Sequence, residues 1–220
     1  MKQEKPFAYY DAYFQNEPGS QVHYKECFYY VHWTQVIVFL KKIPDPQILE
    51  IGCGTGQFAE YLKDEGFVDY RGFDFSPLAI SLARERVQME FFLGNAHDKS
   101  TYNTTFNTVI SLEVLEHIKN DLGVLMGLPL NTHIIFSVPN FDAPSHVRWF
   151  TSERQIKKRY FRYVDIKEII RVGNIYMCRG VIGLFKPDVL QQFLATREQV
   201  NLSSFTKRLK HKIKNTFKIK

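Results

Sequence analysis

The sequence predicts an α/β fold, a mostly parallel sheet with helices on both faces, closed by an antiparallel C-terminal hairpin. Three observations carry this. From residue 47 to residue 160, short apolar runs alternate with helix-like stretches, the pattern of βαβ crossovers. The first such run, Ile48-Leu49-Glu50-Ile51, breaks directly into a loop with glycines at 52, 54 and 56. Near the end, Gly173-Asn174 separates two strand-like runs, 163–172 and 175–181, a two-residue hairpin signal.

The elements follow in order. Residues 6–42 are crowded with aromatics (Phe7, Tyr9, Tyr10, Tyr13, Phe14, Tyr24, Phe28, Tyr29, Tyr30, Trp33) and read as one or two helices ahead of the sheet. Pro44 and Pro46 punctuate the approach to the first strand. Strands are expected at 47–51, 70–73, 90–93, 108–111 and 133–137, with helices at 57–65, 77–86, 121–127 and 152–160. Phe58, Ala59 and Leu62 share one face of the first of these helices. Pro77 suits a first helical position with Ser76 as its cap. The expected organisation is an N-terminal helical segment at 1–42, on the lid and substrate side, a central domain at 43–183, and a basic amphipathic tail at 184–220.

The glycine loop carries the chemistry. Glycine permits positive φ and lets backbone amides approach a ligand where a Cβ would clash. The helix that follows points its first N–H groups at the loop. Eighteen residues past Gly56, Asp74 closes the second strand and can accept hydrogen bonds from a ribose diol. A dinucleotide loop reads Gly-x-Gly-x-x-Gly, whereas this one reads Gly-x-Gly-x-Gly and is preceded by Glu50. A buried acid there can brace the loop by accepting backbone N–H bonds. It also repels a pyrophosphate, so a ligand with an ammonium and a sulfonium suits the site better.

These residues resemble a known family. Leu49-Glu50-Ile51-Gly52-Cys53-Gly54-Thr55-Gly56 resembles motif I of the Rossmann-like (class I) S-adenosylmethionine (SAM) methyltransferases. Phe73-Asp74-Phe75-Ser76-Pro77 resembles their ribose-binding acidic motif, and Gly94-Asn95-Ala96 the turn that brackets the adenine. Residues 109–117, Val-Ile-Ser-Leu-Glu-Val-Leu-Glu-His, resemble the segment after the fourth strand, and the Glu-Val-Leu-Glu-His string is similar to the ubiquinone-pathway O-methyltransferases. The resemblance implies a Rossmann-like sheet with its last strand inserted in reverse. It implies SAM as cofactor, bound by Glu50, Gly52, Cys53, Gly54, Gly56, Asp74, Phe75, Asn95, Ala96 and Glu113. Many relatives carry Asp where Asn95 stands, so its bond to the adenine amino group is expected to be uncharged.

Glu113 and His117 are the candidate catalytic residues, His117 as a base for an acceptor hydroxyl. If Glu113 starts a helical turn, Glu116 and His117 return to its face. With His146 from the loop after the fifth strand, Glu113, Glu116 and His117 make a candidate set for a divalent ion such as Mg2+. The set resembles that of the small-RNA 3′-terminal 2′-O-methyltransferases. Asn140, His146 and Arg148 are the candidate substrate contacts. The loop Val138-Pro139-Asn140-Phe141 lacks the Asn/Asp-Pro-Pro-aromatic pattern of amino-group methyltransferases. The expected reaction is therefore O-methylation of a small molecule or glycan. The alternatives are metal-dependent RNA 2′-O-methylation and a non-catalytic SAM-binding protein.

Charge sets further bounds. The net charge is +6, yet residues 201–220 hold seven Lys/Arg and no acid, leaving 22 basic against 23 acidic residues in the first 200. The body is near neutral, which speaks against nucleic acid as its partner. In the tail, Phe205, Leu209, Ile213 and Phe217 recur every fourth residue among the basic side chains, a pattern for an anionic membrane surface or polyanion. The three cysteines form no Cys-x-x-Cys pair. The expected location is cytoplasmic, with the tail as a peripheral membrane contact.

Overall fold

The computed structural model describes residues 2–183. The expectations for the tail at 184–220, its apolar stripe included, lie outside the described residues. The chain before the sheet forms α1 (Phe7–Asn16), short 3-10 turns at Pro18–Ser20 and Tyr24–Glu26, and α2 (Tyr30–Leu40). There follow β1 (Ile48–Ile51), α3 (Gln57–Asp64), β2 (Tyr70–Asp74), α4 (Pro77–Arg86), β3 (Glu90–Leu93) and β4 (Thr108–Ser111). The last elements are α5 (Asp121–Gly127), β5 (His133–Pro139), α6 (Glu153–Tyr160), β6 (Val164–Val172) and β7 (Ile175–Ile182).

The seven strands pair in the order β3-β2-β1-β4-β5-β7-β6. Pairs among β1 to β5 are parallel, while β7 lies antiparallel to both β5 and β6. Gly173, at φ +57, makes the hairpin turn possible. Strand order reverses between β1 and its neighbours β2 and β4, and the crevice outside that switch point is where such folds bind ligands.

Each sheet face buries its own apolar layer. On one, Ile48, Ile110, Ile135, Ile175 and Met177 pack with Trp33, Ile37 and Leu40 of α2 and with Phe58 and Leu62 of α3. On the other, Leu49, Ile51, Val109, Ile134 and Phe136 pack with Val124 and Leu125 of α5 and Ile156 and Tyr160 of α6. Alternation along each strand sets this division, since successive side chains point to opposite faces. Ser76 caps α4 by accepting from Ala79 N–H at 3.0 Å, with Pro77 at the first helical position. α1 buries no residue. Among the described residues, no helix is long and apolar enough to cross a membrane.

The turn after β4 departs from the sequence expectation. Residues 113–120 form no helix, and Glu113 itself is left-handed at φ +54.

Candidate active site

The glycine loop is tied to the end of β2. Phe73 C=O accepts from the N–H groups of Gly52 (2.8 Å) and Cys53 (3.0 Å). The Asp74 carboxylate accepts from Gly54 N–H at 3.0 Å through Oδ2 and from Ser76 N–H at 2.9 Å through Oδ1. Asp74 thus braces the loop that Glu50 was expected to brace. Glu50 instead accepts from the Tyr70 hydroxyl at 2.5 Å, and its backbone lies beside Gly72 on the neighbouring strand. Burial pushes the Glu50 carboxyl up to about 8. It also pushes Asp74 up to about 6, against the opposing backbone N–H bonds from Ser76 and Gly54.

One cavity of about 680 Å³ opens at the carboxyl edge. Glu50, Gly52, Cys53, Gly54, Asp74, Phe75, Asn95, Ala96, Glu113, His117 and His146 all line it. Gly56 does not. At φ +78 it opens α3, and a Cβ there would lie 3.0 Å from Ala83 Cα, so this glycine serves the close approach of α3 to α4 rather than the ligand. Asn95 Oδ1 accepts from His97 N–H at 2.9 Å, and Ala96 C=O accepts from the Tyr102 hydroxyl at 2.7 Å, which fixes the turn after β3.

Beyond the fourth strand the site changes character. Ser137 on β5 donates to Glu113 Oε1 and accepts from Glu113 N–H, both at 2.7 Å. Burial pushes Glu113 up to about 7. His117 Nδ1 lies 3.0 Å from Ser145 C=O, and His146 Nδ1 lies 3.1 Å from Phe141 C=O. A carbonyl only accepts, so each Nδ1 carries the proton and each Nε2 keeps its lone pair. Burial lowers both imidazoles, His117 to about 4, so they are neutral at pH 7. Close to both is Glu116, fully buried, with no hydrogen-bond partner on either carboxylate oxygen among the described residues. Ligand atoms of Glu116, His117 and His146 lie within 4.8 Å of one another. Glu113, expected in the same set, is not among these three; its carboxylate bonds Ser137 and lies near enough to Glu116 for their charges to repel.

Two expected substrate contacts are not brought to the cavity. The Arg148 guanidinium is spent on the backbone carbonyls of Leu115, Ile118 and Lys119, and lies 3.3 Å from buried Asp121. Asn140 binds Asn174 at the rim of the β6–β7 hairpin through its backbone N–H (2.9 Å). In their place the structure presents Tyr10, Tyr29, Trp33, Ile175 and Met177. Tyr10 packs edge-on against Phe75 (5.2 Å) and His117 (5.8 Å), joining α1 to both halves of the site. Sequence reasoning also missed Tyr70 and Ser137. Their only signals are a tyrosine two residues before Gly72 and a lone hydroxyl in the apolar run His133–Pro139.

A parallel sheet of this strand order, with its seventh strand reversed and a glycine loop facing an acid across the switch point, has the methyltransferase fold. The chain matches the family model of the methyltransferase domain over residues 25–171 and belongs to that family. It is 28% identical over 140 residues to ubiquinone biosynthesis O-methyltransferase of Photobacterium profundum, and the match covers 59% of each protein, less than two thirds of that relative. Among solved structures, a Pyrococcus horikoshii OT3 protein superposes with a TM-score of 0.62 at 19% identity, over 78% of this chain and 99% of that one. Magnesium protoporphyrin IX methyltransferase from Synechocystis PCC 6803, solved with SAM, superposes with a TM-score of 0.57 at 17% identity, over 80% and 97%. At these identities the superpositions speak for the fold.

Proposed function

We propose that the chain is a SAM-dependent methyltransferase acting on an oxygen of a small, flat, mostly apolar acceptor. The observation that carries this reading is the continuity of the cavity. It runs from Asp74 past Gly52 and Glu113 to Ile175 and Met177. From β2 to β7 is a span of about 19 Å at the usual strand spacing. The cofactor takes the β2–β1–β4 part: Asp74 at the ribose, Phe75, Asn95 and Ala96 at the adenine, Gly52, Cys53 and Gly54 at the methionine end, Glu113 beneath the sulfonium. The acceptor takes the remainder, between Tyr29, Trp33, Ile175 and Met177.

The lining supports one class of acceptor. Among the described residues, its only lysine or arginine is Lys5, against Glu4, Glu17, Glu50, Asp74 and Glu113. With a single lysine the cavity offers no basic track for a polyanion, and its apolar and aromatic side chains, Tyr29, Trp33, Ile175 and Met177 among them, suit a flat, mostly apolar acceptor. This speaks against RNA. Alignment of acceptor, methyl and sulfur contributes roughly 7–11 kcal/mol to lowering the barrier. His117, at about 4, is a weak proton acceptor, whereas Glu113 at about 7 is better matched to neutral pH.

A divalent ion is the finer part of the proposal. The unpartnered carboxylate of Glu116 and two neutral imidazoles oriented by backbone carbonyls are the donor set such an ion needs. Glu116, His117 and His146 would hold it, and it would supply Lewis acidity to the acceptor oxygen.

The test is calorimetry with SAM, then transfer of labelled methyl to panels of hydroxylated aromatics, oligosaccharides and oligonucleotides. Turnover confined to the aromatic panel supports the reading. Absence of SAM binding overturns it, and SAM binding with no turnover on any panel selects the non-catalytic alternative.

A further inference from the structure

The turn after β4 carries Glu113, Glu116 and His117, yet no helix or strand ladder holds residues 115–119. Residues 147 and 148 hold it instead. Val147 N–H (2.8 Å) and Arg148 N–H (3.3 Å) both donate to Glu116 C=O. The Arg148 side chain donates through Nη1 to Leu115 C=O and Ile118 C=O, and through Nη2 to Lys119 C=O at 2.8 Å. The guanidinium is itself anchored. Asp121, with no exposed surface, lies 3.3 Å from Nη1, and Arg159 Nε (2.8 Å) and the Tyr160 hydroxyl (3.0 Å) donate to the same carboxylate. Arg148 follows His146 closely in sequence, so one residue fixes the loops that bring the His117 and His146 rings to 5.1 Å.

We propose that Arg148 is a positioning residue for methyl transfer. Its guanidinium sets the backbone of the 115–119 turn, and so the placement of Glu116 and His117 against His146, without touching cofactor or acceptor. The proposal rests on the methyltransferase reading of the site. Lysine cannot replace arginine here, because a single ammonium lacks the planar fork that spans separate carbonyls and a carboxylate.

The experiment compares Arg148→Lys, Arg148→Met and Arg159→Lys with the wild-type chain. Arg159 shares Asp121 but, among the described residues, makes no hydrogen bond to the 115–119 turn, so it controls for loss of the ion cluster alone. The readouts are kcat, SAM affinity, melting temperature and the ring resonances of His117 and His146. Both Arg148 variants are expected to lose kcat by about 10²-fold, the scale of a 1 Å misplacement, with SAM affinity kept and the histidine resonances shifted. Arg159→Lys is expected to lower the melting temperature and leave kcat and the resonances alone. The proposal is overturned if Arg148→Lys keeps wild-type kcat, if SAM affinity falls in step with kcat, or if Arg159→Lys loses as much kcat. Should the wild-type chain transfer no methyl group to any acceptor, the methyltransferase reading fails. The histidine resonances still decide the positioning role, and unshifted rings in folded Arg148→Lys reject it.

Discussion

Tyr70 and Glu50 lie on adjacent parallel strands and are joined by a 2.5 Å hydrogen bond. The bond exists because the residue beside Glu50 is a glycine: a Cβ on Gly72 would fall 2.3 Å from the Tyr70 hydroxyl. The acid that opens the glycine loop is therefore oriented from the start of the next strand.

Tyr70→Phe should strip Glu50 of this partner and lower stability by about 1–3 kcal/mol, the cost of an unsatisfied buried polar group. SAM affinity should fall with it. Urea denaturation and calorimetry check both, and an unchanged variant would show that the bond does nothing. Gly72→Ala should reproduce the loss by pushing the phenol aside.

Asp74→Ala should weaken SAM binding by about 1.5–3 kcal/mol, the range for hydrogen bonds to a charged group. Because Asp74 also receives Gly54 N–H, the glycine loop should loosen as well. Faster amide exchange at Gly54 in the variant would report this separately from ribose contact.

Gly56→Ala should destabilise by about 1–2 kcal/mol from the left-handed backbone alone. The contact with Ala83 adds to this. Since Gly56 does not line the cavity, SAM affinity should hold wherever the variant remains folded. A variant with normal melting and lost SAM binding would restore Gly56 to the ligand site.

Stability should fall as pH rises. Glu50 is raised from 4.5 to about 8 and Asp74 from 3.8 to about 6, both by burial. Between about pH 4 and 8 the folded chain thus holds protons that the unfolded chain has released, and the linked stability disappears as pH climbs through the folded values. His117, lowered from 6.5 to about 4, works in the opposite sense over its own window, but Glu113, raised to about 7, offsets it. Denaturation midpoints that rise from pH 5 to pH 8 in the absence of SAM would contradict the assignment. Glu50→Gln should flatten the upper part of the profile.

Glu116→Gln separates the two readings of the buried carboxylate. In metal-free buffer the variant should melt higher than the wild-type chain, because burial holds the Glu116 carboxyl well above its usual range and folding at neutral pH must protonate it, a cost Gln does not carry. Under the divalent-ion proposal it should also lose activity, and chelation should silence the wild-type enzyme. Activity that survives both treatments would leave His117 and His146 without an ion.

The sequence alone determined the strand and helix order, the final hairpin turn, the glycine loop and Asp74. Each is a local matter of hydrophobic period, turn chemistry, or a fixed distance along the chain between adjacent strands. It also named Glu116 and His117, whose spacing is visible in one dimension, and His146, from its place in the loop after the fifth strand. Only the tertiary structure decided what those residues touch. A helical turn begun at Glu113 would put it on one face with Glu116 and His117, but its left-handed backbone starts no such turn and its carboxylate bonds Ser137. An arginine beside aromatics looks like a binding group, and Arg148 ceases to be one only when the carbonyls of a distant turn fold around it. The part of the cavity proposed for the acceptor draws on α2 and β7, more than 130 residues apart along the chain, and that meeting is set by the register of an antiparallel strand with no counterpart in local pattern.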